Sequence, residues 1–364
     1  MASHFKKHAF YVFGIIDFQE QLPVIIESLN HGNDVWVCVF DTLYRKRQFY
    51  YYDNQKILDF ISDVCALNTS RIPNIRYYGA DHKIEFDSDL KEYNPDVVFL
   101  HGAYHKYPLW YPSAGTAKVV HFAWGPESDL NKSNYKIDLN VVRRKEDLET
   151  YKKFNIDTKY FGNLRLESLK HKPVFNSFCE DYFENKKVCF LSETHIRKSS
   201  PNFEKYPELV DELLTTLRSE GYTTVWKNRE KGYPKQGWAS PLEYTKAKPD
   251  LVINKDLNFP SSLYYLPSIA KLNILFNGTG TFFDLVNVGS NVVVFKTQDL
   301  TAEKTQRMLE AYSSVPEHLY SMIIDPQIGN IRNQLLEINM FETNQSDFNN
   351  DQNCPSSRLL QYIK

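Results

Sequence analysis

Hydrophobic positions in this chain switch between short unbroken runs and helical spacings, and the switching continues along most of its length. His8–Asp17 (HAFYVFGIID) reads as a buried strand of a parallel sheet, and Asp34–Asp41 (DVWVCVFD) as a second. Between them Leu22, Ile25, Ile26 and Leu29 recur at helical spacing over Gln19–Asn30, and His31-Gly32-Asn33 closes that helix. Strand, helix, strand is a βαβ opening whose first loop lies at a carboxyl end of the sheet, where α/β folds place ligands. It lacks GxGxxG, which argues against a dinucleotide cofactor. The same pattern predicts strands at Asn74–Gly79, Asn94–Gly102, Lys118–Gly125 and Ile137–Val142, and helices at Asn54–Leu67 and Lys145–Phe154.

A second series follows. Lys159–Leu169 (KYFGNLRLESL) reads as a short strand, a Gly-Asn turn and a helix start, and polar sequence leads from Lys170 to a strand at Lys187–Leu191. Tyr206–Glu220 is amphipathic, with Leu209, Val210, Leu213, Leu214 and Leu217 on one side and Gly221 as its stop. Strands are predicted at Thr223–Lys227 and Asp250–Asn254, and a helix at Phe259–Ala270. Lys271–Thr297 then gives a strand (Asn273–Phe276), a polar turn (Asn277–Thr281), a helix (Phe282–Val288) and a strand (Val292–Phe295). Thr301–Tyr312 and Glu317–Ile323 read as helical, Phe341–Pro355 as a mobile polar loop, and Ser356–Ile363 as a closing helix. Two such series predict two doubly wound α/β domains, residues 1–163 and 164–340, with 341–364 as a loop and a helix that crosses back onto the first.

Composition narrows the function classes. With 364 residues, 24% of them charged, the chain is long enough for two cores and globular rather than disordered. A net charge of −2 argues against a general nucleic-acid binder. No apolar run is long enough to cross a bilayer and the N-terminus has no signal-like apolar region, so a cytoplasmic location is expected. The five cysteines are scattered, without CxxC or zinc spacing, and Cys38 and Cys189, in strand-like runs, fit buried thiols. The 24 Tyr and 24 Phe imply an aromatic core, with sugar stacking as a second use for some.

The turn at Asn277–Thr281 carries the first candidate chemistry. A strand, a Gly/Thr turn and a helix start present backbone N–H groups at the positive end of a helix dipole, which suits a phosphate. Gly278 and Gly280 admit close backbone approach and Thr279 and Thr281 add hydroxyl donors; an ordinary strand-to-helix turn capped by Thr281 is the alternative.

Four places resemble the GT-B superfamily, which includes nucleotide-sugar glycosyltransferases, CDP-glycerol glycerophosphotransferases and the non-hydrolysing sugar-nucleotide 2-epimerases. Asn94–Gly102 followed by Lys118–Gly125 is similar to the PDVV-x-x-HG strand and its successor in the epimerases. Gly162-Asn163-Leu164-Arg165 is similar to the GNPR-type interdomain turn, and Ser192–Arg197 (SETHIR) to the THR turn after the first strand of the C-terminal half. Asn277–Asp284 stands where the family has its donor-phosphate turn, and Ser356–Ile363 resembles the final helix of glycerophosphotransferase-like chains. The resemblance implies two Rossmann-like domains facing a cleft (GT-B).

Three departures bear on activity. The epimerases have an acidic residue after the HG strand, and Ala103-Tyr104 stand there; they have a Glu after the next strand's His, and His121 is followed by Phe122-Ala123. The glycerophosphotransferase turn has a His where this chain has Trp124-Gly125-Pro126-Glu127. The expectation is therefore a glycosyltransferase that moves a sugar from a nucleotide-sugar donor to a glycan or lipid-linked glycan, in surface polysaccharide or glycoconjugate synthesis. A 2-epimerase or hydrolase, a glycerophosphotransferase, and a catalytically silent GT-B-like binding protein stay open.

A diphosphate leaving group needs fixed donors around it. Residue types suggest Gly278, Thr279, Gly280 and Thr281, with His195 and Arg197 in the first turn of the same half, Lys227 and Arg229 at the end of another strand of that half as weaker candidates, and Asp284 toward the ribose. His195 and Arg197 are equally readable as solvated surface groups, and for Lys227 and Arg229 that reading is the stronger. An acceptor base is expected among Glu127, Asp17, His121 and His101, with Glu127 and Asp17 ranked first, and a retaining enzyme would need none. No metal or other cofactor is expected: Asp87-Ser88-Asp89 has the spelling of a metal motif but lies in a polar run that fits a short helix.

Overall fold

Both series of apolar runs form parallel sheets. The computed structural model describes residues 6–13, 15–40, 54–79, 81–101, 117–123, 136–143, 145, 147–152, 154–168, 170–171, 181–192, 196–197, 203–227, 238–253, 269–276, 285, 290–296, 323–338 and 354–363. The chain divides into two compact units, Met1–Val174 with Asn350–Lys364, and Phe175–Asn349.

In the first unit β1 (Lys7–Val12), β2 (Asp34–Phe40), β3 (Asn74–Tyr78), β4 (Val97–His101), β5 (Lys118–Phe122), β6 (Leu139–Val141) and β7 (Thr158–Lys159) lie parallel in the order β3-β2-β1-β4-β5-β6-β7. Helices α1 (Ile15–Asn30), α2 (Asn54–Asn68), α3 (Lys83–Tyr93) and α4 (Asp147–Lys152) lie between them along the chain, and α5 (Leu164–Ser168) follows β7. The strands grow outward from β1 to β3 on one side and from β4 to β7 on the other, so the winding reverses between β1 and β4. Aromatic side chains fill the core: Phe10 stacks on Phe99 with centroids 4.4 Å apart, and Trp36, Phe40, Tyr78 and Phe86 pack as one cluster on the other face.

Local chemistry sets several boundaries apart from the predicted ones. The run expected to reach Asp17 as one strand stops at Val12, and α1 begins at Ile15 rather than Gln19. Asp17 is thus a first-turn helix residue whose Oδ2 accepts the Phe13 N–H at 3.1 Å and closes the strand-to-helix turn. The Asp87-Ser88-Asp89 sequence lies inside α3, where Asp87 pairs with Lys83, and Asp89 Oδ2 accepts the Tyr78 hydroxyl at 2.6 Å and meets Arg76 at 2.7 Å.

The second unit repeats the scheme. β8 (Val188–Ser192), β10 (Thr223–Lys227), β12 (Leu251–Ile253), β13 (Ala270–Phe276), β14 (Val292–Phe295) and β15 (Ile323–Ile324) form a parallel sheet in the order β12-β10-β8-β13-β14-β15, and β9 (Ile196–Arg197) pairs antiparallel with β11 (Trp238–Ala239). Helix α6 (Tyr206–Ser219) buries Leu209, Val210, Leu213, Leu214 and Leu217 against Trp226, Ile274 and Phe276, and Gly221 ends it with φ +77°. Ile323, expected to end a helix, lies in β15 because its backbone completes the ladder beside Val294. Helix α7 (Ile331–Glu337) is absent from the predicted elements, although Ile331, Leu335 and, just past its end, Ile338 stand at helical spacing and pack on the same core. The helix predicted at Phe259–Ala270 is described only at its last two residues, of which Ala270 already belongs to β13, and that at Phe282–Val288 only at Leu285, which is helical. The loop predicted at Phe341–Pro355 is described only at its end, where Pro355 already opens the final helix, and the turn at 277–281 and the helix at 301–312 lie outside the described residues.

The final helix, α8 (Pro355–Ile363), belongs to the first unit. Glu167 of α5 caps it, accepting the Ser356 N–H at 2.9 Å and the Ser356 hydroxyl at 2.6 Å, and burial raises the Glu167 pKa. Gly162, the glycine of the GNLR turn, has φ +120°, and a Cβ there would sit 2.7 Å from Pro355 Cγ. The motif's glycine is therefore accounted for by backbone conformation and by the approach of α8. Gly162→Ala is expected to destabilise the first unit by about 1–3 kcal/mol, read as a lower urea midpoint at unchanged slope.

His8 gives the first unit an acid limit. Its ring lies against Phe99, with Nδ1 2.6 Å from Ser28 Oγ, and burial, aided by the Lys6 charge, lowers its pKa to about 4. The unfolded chain takes up this proton at higher pH than the fold does. The neutral ring's contribution is therefore complete above about pH 6.5 and is lost as pH falls from there toward 4, by roughly 3 kcal/mol in full. Urea midpoints measured across that range should fall more steeply for the native chain than for His8→Gln.

Candidate functional site

The reversal between β1 and β4 brings charged side chains together at the carboxyl edge of the first sheet, where open α/β sheets bind ligands. His101 is the last residue of β4, and Asp17 and Glu20 lie three residues apart on α1, the helix that follows β1. His101 Nδ1 is 2.6 Å from Asp17 Oδ1, and His101 Nε2 is 2.8 Å from Glu20 Oε2. The other oxygen of Glu20 pairs with the guanidinium of Arg143, two residues beyond β6. Register explains the reach: His101 stands beside Phe122 of β5, and Phe122 beside Val141 of β6, so Arg143 falls on the same face by alternation. All three acid–base groups are buried, with His101 at 1% exposure and Asp17 and Glu20 at 4% each.

A hydrogen-bond inventory restricts the protons in this cluster. Both ring nitrogens face carboxylate oxygens, so both can donate only from an imidazolium; a neutral ring requires the missing proton on Asp17 or Glu20. With the imidazolium and Arg143 as cations and two carboxylates as anions, the four charges balance. Among the described residues, loss of one member takes from another the opposite charge it faces.

His121 does not join the cluster. It pairs in register with Leu100, not His101, and so faces the opposite side of the sheet, where its Nδ1 lies 2.8 Å from Asn140 Oδ1 of β6. Asp17 and His101 are thus brought together, and His121 is placed elsewhere. Glu127 lies outside the described residues, as do His195, Arg229, Gly278, Thr279, Gly280, Thr281 and Asp284. Arg197 is placed by its backbone in β9, opposite Trp238. Lys227 ends β10, in register with Ser192 of β8 and Ile253 of β12.

The second sheet also reverses its winding, between β8 and β13. Ser192 pairs with Leu275, so the segments after these strands leave adjacent carboxyl ends. Cys38, Cys65 and Cys189 are buried, and burial pushes the Cys65 thiol up to about 12 and the other two well above their ordinary value, which fits packing rather than nucleophilic chemistry. Among the described residues there is no His, Cys, Asp and Glu grouping able to hold a metal ion, and no helix long and apolar enough to cross a membrane.

Sequence reasoning missed Glu20 and Arg143. The available signal was the Asp17-x-x-Glu20 spacing, two carboxylates one helical turn apart immediately after a buried strand.

No protein-family profile matches the sequence, and no curated protein matches it. Solved structures do. A UDP-N-acetylglucosamine 2-epimerase matches with a TM-score of 0.59 at 13% identity, over 99% of this chain and 95% of its own. The UDP-GlcNAc 2-epimerase of Neisseria meningitidis, solved bound to UDP-GlcNAc, gives 0.57 at 14% identity over 98% and 99% of the two chains. That of Methanocaldococcus jannaschii gives 0.56 at 11% identity over 98% and 99%. These likenesses establish the fold as α/β with two Rossmann-like doubly wound units, of the GT-B type.

Proposed function

We propose that this chain is a nucleotide-sugar enzyme that transfers protons on the sugar without an acceptor, as an epimerase does. The observation that carries the reading is the buried Asp17–His101–Glu20 array at the winding reversal of the first sheet. Proton abstraction and return need one group to take a proton and a partner to hold or replace it. Ala103-Tyr104 and Phe122-Ala123 supply no carboxylate, whereas Asp17 and Glu20 place two of them on one imidazole. The matched epimerases, one solved with UDP-GlcNAc, support a uridine diphosphate N-acetylhexosamine as the first substrate to test. The second unit is the proposed diphosphate side: His195 and Thr279–Thr281 follow β8 and β13, which pair at that unit's own reversal.

Transfer to a glycan acceptor is the second reading, favoured by the missing carboxylates at positions 103–104 and 122–123. Both readings are proposed to run without a metal, with basic side chains and backbone donors stabilising the diphosphate. Purified protein should convert UDP-GlcNAc in excess EDTA with no acceptor, followed by proton NMR of the sugar. A donor that stays intact until a glycan is added would instead support transfer, and turnover restored by Mg²⁺ after EDTA would count against the metal-free mechanism.

A further inference from the structure

We propose that Arg143 and Glu20 form a fixed arm that commits the His101 proton to Asp17, making Asp17 the one carboxylate of the cluster that exchanges it. The two carboxylates are not equivalent. Glu20 lies between two groups, with the Arg143 guanidinium as ion-pair partner of one oxygen and His101 Nε2 within hydrogen-bond distance, 2.8 Å, of the other. Arginine keeps its charge at every working pH, so a proton arriving on Glu20 would sit beside a permanent cation. Among the described residues, Asp17 has His101 Nδ1 at 2.6 Å on Oδ1 and a neutral donor, the Phe13 backbone N–H, on Oδ2. When the ring gives up a proton, the Nδ1–H bond breaks, an O–H bond forms on Asp17, and the electron pair stays on a neutral imidazole whose Nε2–H still donates to Glu20.

Among the described residues, the charged groups facing His101 come from α1 (Asp17 and Glu20) and, through Glu20, from the segment after β6 (Arg143). His121 faces the other side of the sheet, and His8 lies at the opposite end of the same face. Arg143 has a side chain 22% exposed, against 6% for Glu20, so it is the member of the array that reaches furthest toward the surface. It and Glu20 are positioning residues, acting through the ring.

Any role of this polarity in turnover rests on the proposed function; the polarity itself does not. The test is ¹⁵N NMR of histidine-labelled protein, with the His101 signals identified by their loss in His101→Gln. In the native chain Nε2 should stay protonated across the titration while Nδ1 loses its proton. In Arg143→Gln protonation should spread to the Glu20 side and Nε2 should titrate as well, and Arg143→Lys, which restores the charge, should return the native pattern. In turnover, Arg143→Gln should lower kcat roughly tenfold with KM changed less than about twofold, and Arg143→Lys should recover most of it. Native ring nitrogens that titrate alike, or an Arg143→Gln ring that titrates as the native one does, would overturn the assignment. A protein that shows the expected ring behaviour but turns over no sugar nucleotide removes the proposed function and leaves the assignment standing. An active protein whose Arg143→Gln form matches the native ring and the native kcat removes the assignment alone.

Discussion

Asp17→Asn should lower kcat by about 10²–10⁴-fold while leaving KM within a few-fold of the native value. The substitution keeps the size of the side chain and an oxygen able to accept the Phe13 N–H, so the strand-to-helix turn survives. It removes the one property the proposed chemistry requires, a carboxylate 2.6 Å from His101 Nδ1 that can take up a proton. Steady-state kinetics separate the alternatives: a rise in KM at constant kcat would make Asp17 a binding group, and unchanged kinetics would leave it a structural one.

Glu20→Ala should have the largest effect on stability, a loss of about 3–5 kcal/mol from the first unit. The truncation takes from the Arg143 guanidinium and the His101 imidazole the carboxylate they share at the carboxyl edge of the sheet. Pairing alone does not produce such a cost. Lys83→Ala breaks a pair with Asp87 on the outside of α3, where solvent screens both charges, and should change stability by less than about 1 kcal/mol. Urea unfolding of the two variants gives the comparison, and a Glu20→Ala protein as stable as Lys83→Ala would show that the array does not hold itself together.

Much of the fold was legible because parallel strands buried on both faces read as unbroken apolar runs: β2, β4, β5, β10 and β14 fall within the ranges their runs predict, and β8 runs one residue past its own. The misplaced ends have local causes. The apolar run through Phe13, Ile15 and Ile16 hid the turn that Asp17 closes, and Ile323 sits in a strand too short to show alternation. The site was legible only one residue at a time. His101 and Asp17 could be picked out because each follows a strand-like run, yet nothing in the spacing says that positions 84 residues apart share a hydrogen bond. That follows from the strand order, which sets β1 beside β4. Glu20 was hidden in a helix read for its apolar face, and Arg143 in a charged run (VRRKED) that looks like surface. His121 shows the converse: a histidine in a neighbouring strand, displaced to the far face by one step of alternation.

The measurement that tests the central proposal most directly is solvent exchange. The protein is incubated with UDP-GlcNAc in D₂O, without acceptor or metal, and the recovered nucleotide sugar is examined by NMR and mass spectrometry. Acceptor-free proton transfer predicts deuterium on a ring carbon of the sugar in the native protein, and at least about a hundredfold less in Asp17→Asn. A nucleotide sugar that binds and is recovered without deuterium, at a rate Asp17→Asn does not change, would contradict it.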